Sequence, residues 1–303
     1  MLHNSLPELS LSEVDTSIGF LGKRISFPLL IEGMVGGFFC AASLNRNLAI
    51  AAEETRVALG LGSQRAMLED SRLRWTYDVR AAAPSVPLLG NIGAAQLLEN
   101  PVDRILVLAE DIDADGLVVH LNPAQEAFQS NGDTDWRGVE DKIAELCQRA
   151  SVPILVKETG CGLSGSVARR LEAAGVAWLD VAGAGGTSWV KVEQCNRPDA
   201  SGAFDEWGIP TAESLVQCKS STQLPLIASG GIRSGIECAK ALALGASMVG
   251  VALPLLGAAL HSASEVVTQI GRLDGELKRA MFLCGARTVL ELSWADIQHR
   301  PSQ

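Results

Sequence analysis

Three short stretches of this sequence carry residue types that do chemistry at close spacing. His120-Leu121-Asn122-Pro123-Ala124-Gln125-Glu126 sets four polar residues around a proline. His120 is suited to bind an anion or move a proton. Gln125 is neutral, so it orients or relays and is not a base by itself. Glu126 offers the hard oxygens that Mg²⁺ takes, usually alongside phosphates; the same stretch also reads as a capped, hydrogen-bonded loop. Lys157 ends an apolar run and precedes Glu158. An ammonium there needs a partner. It can stabilise negative charge on a reduced ring cofactor, form a Schiff base, or pair structurally with Glu158. The third feature is a pair of glycine-rich turns, 182–188 and 229–235. Glycine lets backbone amides approach an anion closely. Thr187 and Ser188 add hydroxyls, and a helix starting near Gly235 would aim its positive end at a phosphate. FMN, a sugar phosphate and a nucleotide all fit such a cradle.

These residues need elements to hold them. Eight apolar runs alternate with amphipathic stretches: 28–31, 59–63, 87–91, 116–120, 153–157, 178–182, 225–229 and 248–252. Near-continuous apolar runs suit strands covered on both faces. Helical periodicity fills the intervals, as at 139–150, 165–174 and 236–244. Eight βα units in order predict a (β/α)₈ TIM barrel; a doubly wound open sheet is the competitor. Ser63, Asn91, His120, Asn122, Lys157, Gly183, Ser229 and Gly230 then fall at the C-terminal ends of strands, the face where barrels do chemistry. The expected layout is a single α/β domain over 1–303. It comprises an N-terminal extension (1–27), the barrel (28–261) and C-terminal helices (262–303). The stretch 190–208 reads as a lid or substrate loop.

The chain has 303 residues, 47% hydrophobic and 20% charged, which supports one large core. A net charge of -10 argues against nucleic-acid and anionic-membrane partners. No signal peptide or membrane span is expected. Seven scattered cysteines without a C-x-x-C pair suggest a reducing cytoplasm rather than a zinc or disulfide framework. Cys161, in a glycine turn, reads as a small buried thiol rather than a nucleophile.

The motifs together resemble the type 2 isopentenyl diphosphate isomerases, FMN-dependent barrel enzymes. The resemblance runs from Leu2 to about Leu292. It rests on 120–126, Val156-Lys157-Glu158, Ala182 to Trp189, Trp207 to Thr211, and Ala228 to Gly235, with support from Leu6 to Leu9 and Phe20 to Arg24. It implies isomerisation of isopentenyl diphosphate to dimethylallyl diphosphate. The family uses reduced FMN as an acid–base group, with Mg²⁺, and NAD(P)H or another reductant. By motif, Gln125, Lys157 and His120 are the implied catalytic residues. Met34, Val35, Ser63, Asn91, Lys157, Thr187, Ser188, Gly230, Gly231, Arg233, Ala252 and Leu253 would contact the flavin. Arg65, His120, Asn122, Gln125 and Trp189 would contact substrate, with Glu126 on the metal. A homotetramer or larger homo-oligomer is implied as well.

Two departures from the family pattern stand out. The family's N-terminal segment with an Arg-Lys-x-x-His motif does not appear in this sequence; either the sequence begins after it or the diphosphate grip is weaker. The family's Met-Thr-Gly-Gly reads Met34-Val35-Gly36-Gly37, so a hydroxyl near the flavin's reactive nitrogen is replaced by a methyl group. Glu32, just upstream, is an unusual charge on an apolar strand. These departures favour an alternative: an FMN enzyme of the same fold with another substrate, either an oxidoreductase or an enzyme of specialised metabolism. A flavin-binding assembly partner without turnover is a third reading, opposed by the retained Gln125, Glu126 and Lys157.

Overall fold

A computed structural model of the chain describes residues 1–195 and 201–293. An antiparallel hairpin comes first, β1 (Ile18–Phe20) and β2 (Lys23–Ile25). Eight parallel strands follow: β3 (Leu29–Ile31), β4 (Ala58–Gly60), β5 (Leu88–Gly93), β6 (Gly116–Leu121), β7 (Ile154–Glu158), β8 (Trp178–Asp180), β9 (Leu226–Ala228) and β10 (Met248–Val251). They form a closed barrel, because β10 pairs with β3 through Val249↔Leu29, Gly250↔Leu30 and Val251↔Ile31. Closure removes the open sheet as a competitor. The strands match the apolar runs read from the sequence, and the helices Val139–Arg149, Gly165–Ala173 and Gly235–Ala243 fall where periodicity placed them.

Side chains alternate along a strand, and that alternation builds the interior in two layers. The lower layer is apolar: Leu30, Ala58, Leu89, Val118, Leu155, Ile227 and Met248 form one buried cluster, with Trp178 packed against it. Two residues further along each strand, the inward positions become Glu32, Gly60, Asn91, His120, Lys157, Asp180, Ser229 and Gly250. The barrel therefore carries a polar ring above an apolar plug, at the C-terminal ends of its strands.

The region expected as an N-terminal extension closes the opposite end. Phe20 and Ile25 of the hairpin join the apolar layer, and Phe20 meets Trp178 edge-on at 4.8 Å between ring centroids. Leu21 and Gly22 take φ of 47° and 75°, the positive pair of a tight hairpin turn. The C-terminal region forms the helix Ala263–Cys284, ended by Gly285 in the left-handed conformation, then Val289–Leu292. The segment expected as a loop over 190–208 instead begins inside a helix, Trp189–Gln194, because the Ser188 hydroxyl caps it by accepting from the Lys191 amide at 3.3 Å. Residues 196–200 of that segment, and 294–303 of the tail, lie outside the described residues. Among the described residues no helix is long and apolar enough to cross a membrane.

Candidate active site

The polar ring begins with His120. Its Nδ1 lies 2.9 Å from Asn91 Oδ1, while Asn91 Nδ2 donates to the Leu61 carbonyl at 3.0 Å. Asn91 thus presents an acceptor, so His120 donates from Nδ1 and keeps Nε2 as an acceptor. Burial, with the Lys157 charge behind it, drops the His120 pKa to about 3. The imidazole is neutral at physiological pH, which removes the option of His120 as a cationic anion ligand. A neutral donor and acceptor remains.

Beyond β6, Pro123 opens the short helix Pro123–Phe128. Asn122 Nδ2 donates to Glu126 Oε1 at 2.8 Å and to Gln125 Oε1 at 3.3 Å. Glu126 Oε2 accepts from the Asp133 amide at 2.8 Å. Gln125 Nε2 reaches Glu193 Oε1 at 3.0 Å, which ties this loop to the helix Trp189–Gln194. The structure thus brings Asn122, Gln125 and Glu126 together, as the spacing suggested. It adds Glu193, which had no motif to mark it. Among the described residues no group of three or more His, Cys, Asp or Glu could hold a metal. A Mg²⁺ ion here would take one carboxylate from Glu126 and most of its oxygens from substrate and water.

Lys157 loses one of its three open readings. Its Nζ donates to the backbone carbonyl of Glu158 at 3.0 Å, and the carboxylate it approaches is Glu32, at 3.8 Å. The Lys157–Glu158 ion pair does not form. Adjacent residues on a strand point to opposite faces, and the Glu158 carboxylate turns into a nest of amides from Thr159, Gly160, Cys161 and Gly162. Burial and the nearby Glu158 charge push the Cys161 thiol up to about 11, so it is no thiolate nucleophile.

The two glycine turns interlock. The Gly183 amide donates to the Ser229 carbonyl at 3.0 Å, and Thr211 Oγ1 donates to the Gly230 carbonyl at 2.6 Å. Gly230 and Gly231 have φ of 96° and 86°. A Cβ on Gly230 would overlap the Gly183 carbonyl, and one on Gly231 the Gly185 carbonyl. Ala182, entering the first turn, sits at φ 38°, a left-handed conformation unusual outside glycine. Arg233 spans both turns, donating to the carbonyls of Gly231 at 2.7 Å and Gly185 at 3.1 Å. The amides of Gly185, Gly186, Gly230 and Gly231 donate to no group among the described residues. A concave backbone with unspent donors suits a phosphate, so these residues fit the FMN tail.

One part of the expected cradle is not available. The helix Gly235–Ala243 has its positive end covered by two acids, one its own and one from the helix Ala263–Cys284. Ser234 and Glu237 form a capping box, and the Gly235 amide donates to Glu276 Oε2 at 2.7 Å. Ser188 likewise spends its hydroxyl on capping.

The remaining expected residues lie around the same rim. Met34 and Val35 follow β3 and pack on the outer core, with the Val35 carbonyl accepting from Asn45 at 3.2 Å. The Ser63 carbonyl accepts from the Tyr77 hydroxyl at 2.7 Å. Ala252 precedes the helix Leu253–Ala259, and Leu253, like Trp189, is exposed. Thr187 ends the first turn. Arg65 is turned to Glu69 at 2.8 Å.

The sequence profile described as FMN-dependent dehydrogenase matches residues 91–299. Named relatives are closer still. The isopentenyl-diphosphate delta-isomerase of Pyrococcus furiosus is 46% identical over 306 residues, covering 96% of this chain and 77% of that protein. Its namesake from Xanthobacter autotrophicus is 48% identical, covering 94% and 85%, and that from a Synechococcus is 49% identical, covering 92% and 82%. The chain belongs to the type 2 isopentenyl diphosphate isomerase family. Solved structures agree on the fold. A mandelate oxidase with an FMN monooxide adduct superposes at TM-score 0.67 with 20% identity, covering 96% of this chain and 84% of that one. A lactate oxidase from Pediococcus acidilactici superposes at 0.72 with 16% identity, covering 98% and 83%. In the isomerase family's terms, the polar ring and the interlocked turns stand on one face of one barrel.

Proposed function

We propose that this protein isomerises isopentenyl diphosphate to dimethylallyl diphosphate, with FMN held at the barrel mouth and Mg²⁺ on the diphosphate. The observation that carries this reading is the interlock of the two glycine turns, whose free amides lie on the same barrel face as His120, Gln125 and Lys157. FMN, when bound in its reduced form, supplies acid–base chemistry at the ring. The residues of the chain do the rest. The turn amides and Arg233 take the cofactor's phosphate. Lys157 places positive charge where the reduced ring gathers negative charge. His120, neutral, holds a fixed hydrogen-bond pattern through Asn91. Gln125, tethered by Glu193, orients the alkene and excludes water rather than acting as a base. Glu126, with Asn122 beside it, would hold the metal next to the diphosphate, and Arg65 would turn from Glu69 toward that charge. NAD(P)H or another reductant would supply the reduced form of the flavin. The same reading takes the protein as a cytoplasmic homotetramer or larger homo-oligomer.

The purified protein should be yellow and release FMN on denaturation. Given reduced FMN, Mg²⁺ and isopentenyl diphosphate, it should yield dimethylallyl diphosphate; absence of product from flavin-loaded protein would overturn the reading. Val35 favours one alternative, an FMN enzyme of this fold with another substrate, because valine offers no hydroxyl. In that case the protein is yellow and the product assay is silent.

Glu126→Gln tests the metal role. Losing one carboxylate from a charge-assisted contact costs about 1.5–3 kcal/mol, so Mg²⁺-dependent turnover should fall roughly 10–100-fold. FMN should stay bound. Unchanged Mg²⁺ dependence in a titration would remove Glu126 from the metal.

A further inference from the structure

The polar ring contains two acids, one lysine and one neutral imidazole. Glu32 and Asp180 are only 5% and 3% exposed. Glu32 Oε1 and Asp180 Oδ2 are fully enclosed, and neither has a hydrogen-bond partner among the described residues. Both side chains line the same cavity with Lys157, and Asp180 stands close enough for its charge to act on Glu32. Their other oxygens are engaged. Asp180 Oδ1 accepts from the Ser229 hydroxyl at 2.7 Å and the Ala182 amide at 3.2 Å. Glu32 Oε2 lies 3.8 Å from Lys157 Nζ. Ionised carboxylates only accept, so two of them would leave like charges facing each other in a dry site. One proton held between them would give both orphaned oxygens a partner.

We propose that Glu32 and Asp180 share a single proton, and that this acid pair is the positioning device that sets Lys157 at the barrel mouth. The geometry of the ring is built for it. Lys157 and Asp180 are register partners on β7 and β8, so their side chains stand side by side. Gly250 on β10 makes room, because a Cβ there would overlap Glu32 Oε1. Desolvation by burial, followed by the Asp180 charge, holds the Glu32 carboxyl well above the usual carboxylate range. The other strands present Gly60, Asn91, Ser229 and neutral His120 to this ring, so Lys157 supplies its positive charge. With one proton shared, the pair carries one negative charge against the one positive charge of Lys157. With none shared, the ring carries an excess negative charge that would draw Lys157 down into the barrel. The role toward Lys157 rests on the proposed flavin site, whereas the shared proton does not.

Glu32→Gln decides the proton. The folded parent keeps a proton that the unfolded chain releases above the ordinary carboxylate range, so parent stability falls as pH rises. Glutamine donates without titrating. The melting temperature of Glu32→Gln should match the parent near pH 4.5 and exceed it by about 2–4 °C more per pH unit above that, up to the raised Glu32 value. An ionised Glu32 paired with Lys157 predicts the reverse, the parent gaining over Glu32→Gln as pH rises; that result, or a flat difference, overturns the proposal. The midpoint potential of bound FMN tests the positioning. Glu32→Gln should keep the parent potential, and Glu32→Ala should make it more negative as Lys157 is drawn to the unshared Asp180. Equal shifts in both variants overturn the positioning role. If the chain takes up no FMN, the flavin reading fails, and the thermal comparison on colourless protein still decides the proton.

Discussion

Gly230→Ala should give a folded protein that no longer holds FMN. Gly230 sits at φ 96°, where an L-residue is strained, and a Cβ would overlap the Gly183 carbonyl. The backbone strain alone is roughly 1–3 kcal/mol. Relief requires the second turn to back away from the first, breaking the bond from Thr211 Oγ1 to the Gly230 carbonyl. The free amides of Gly185, Gly186, Gly230 and Gly231 then no longer converge. Two or three charge-assisted contacts to a phosphate, each about 1.5–3 kcal/mol, depend on that convergence. FMN affinity should therefore fall by at least roughly 100-fold. The barrel should survive, because the turns lie above the apolar layer and contribute nothing to it. Flavin absorbance after gel filtration, alongside circular dichroism, checks this. Retained flavin at parental affinity would mean the turns do not form the cradle.

The barrel was legible because each strand writes itself as a continuous apolar run, buried on both faces. The hairpin was not legible. Its strands are three residues each, and what they pack against, Trp178 and the lower layer, is remote in sequence. The site was legible where polarity is concentrated, at 120–126 and in the glycine turns. It failed where the deciding neighbour is distant. A Lys157–Glu158 pair stood open beside the flavin and Schiff-base roles of Lys157, although adjacency on a strand places side chains on opposite faces. The period of two was the available signal. Counting two residues on from Leu30, Leu155 and Trp178 gives Glu32, Lys157 and Asp180 in one ring. The same reasoning explains why the helix at Gly235 offers less than expected. Glu276 lies some forty residues away in sequence, and no local pattern tells that it covers the Gly235 amide.

Lys157→Met should leave FMN bound and lower kcat by about 10²–10³-fold, the usual cost of removing one group aimed at developing charge in a dry site. Methionine keeps the length and the apolar stem, so the lower layer is undisturbed. Three things could change besides the charge, and the structure separates them. His120 owes its low pKa first to burial and only second to Lys157, so the imidazole stays neutral in the variant. The Asn91–His120 bond does not involve Lys157 and stays in place. Glu32 and Asp180 lose their cation but keep each other, with Ser229 and the Ala182 amide still bound to Asp180. The loss should therefore appear in kcat, with little change in the KM for isopentenyl diphosphate, which other residues bind. Steady-state kinetics on flavin-loaded protein measure this. A loss confined to KM would place Lys157 at the diphosphate instead of the ring, and parental kcat would remove it from the chemistry altogether.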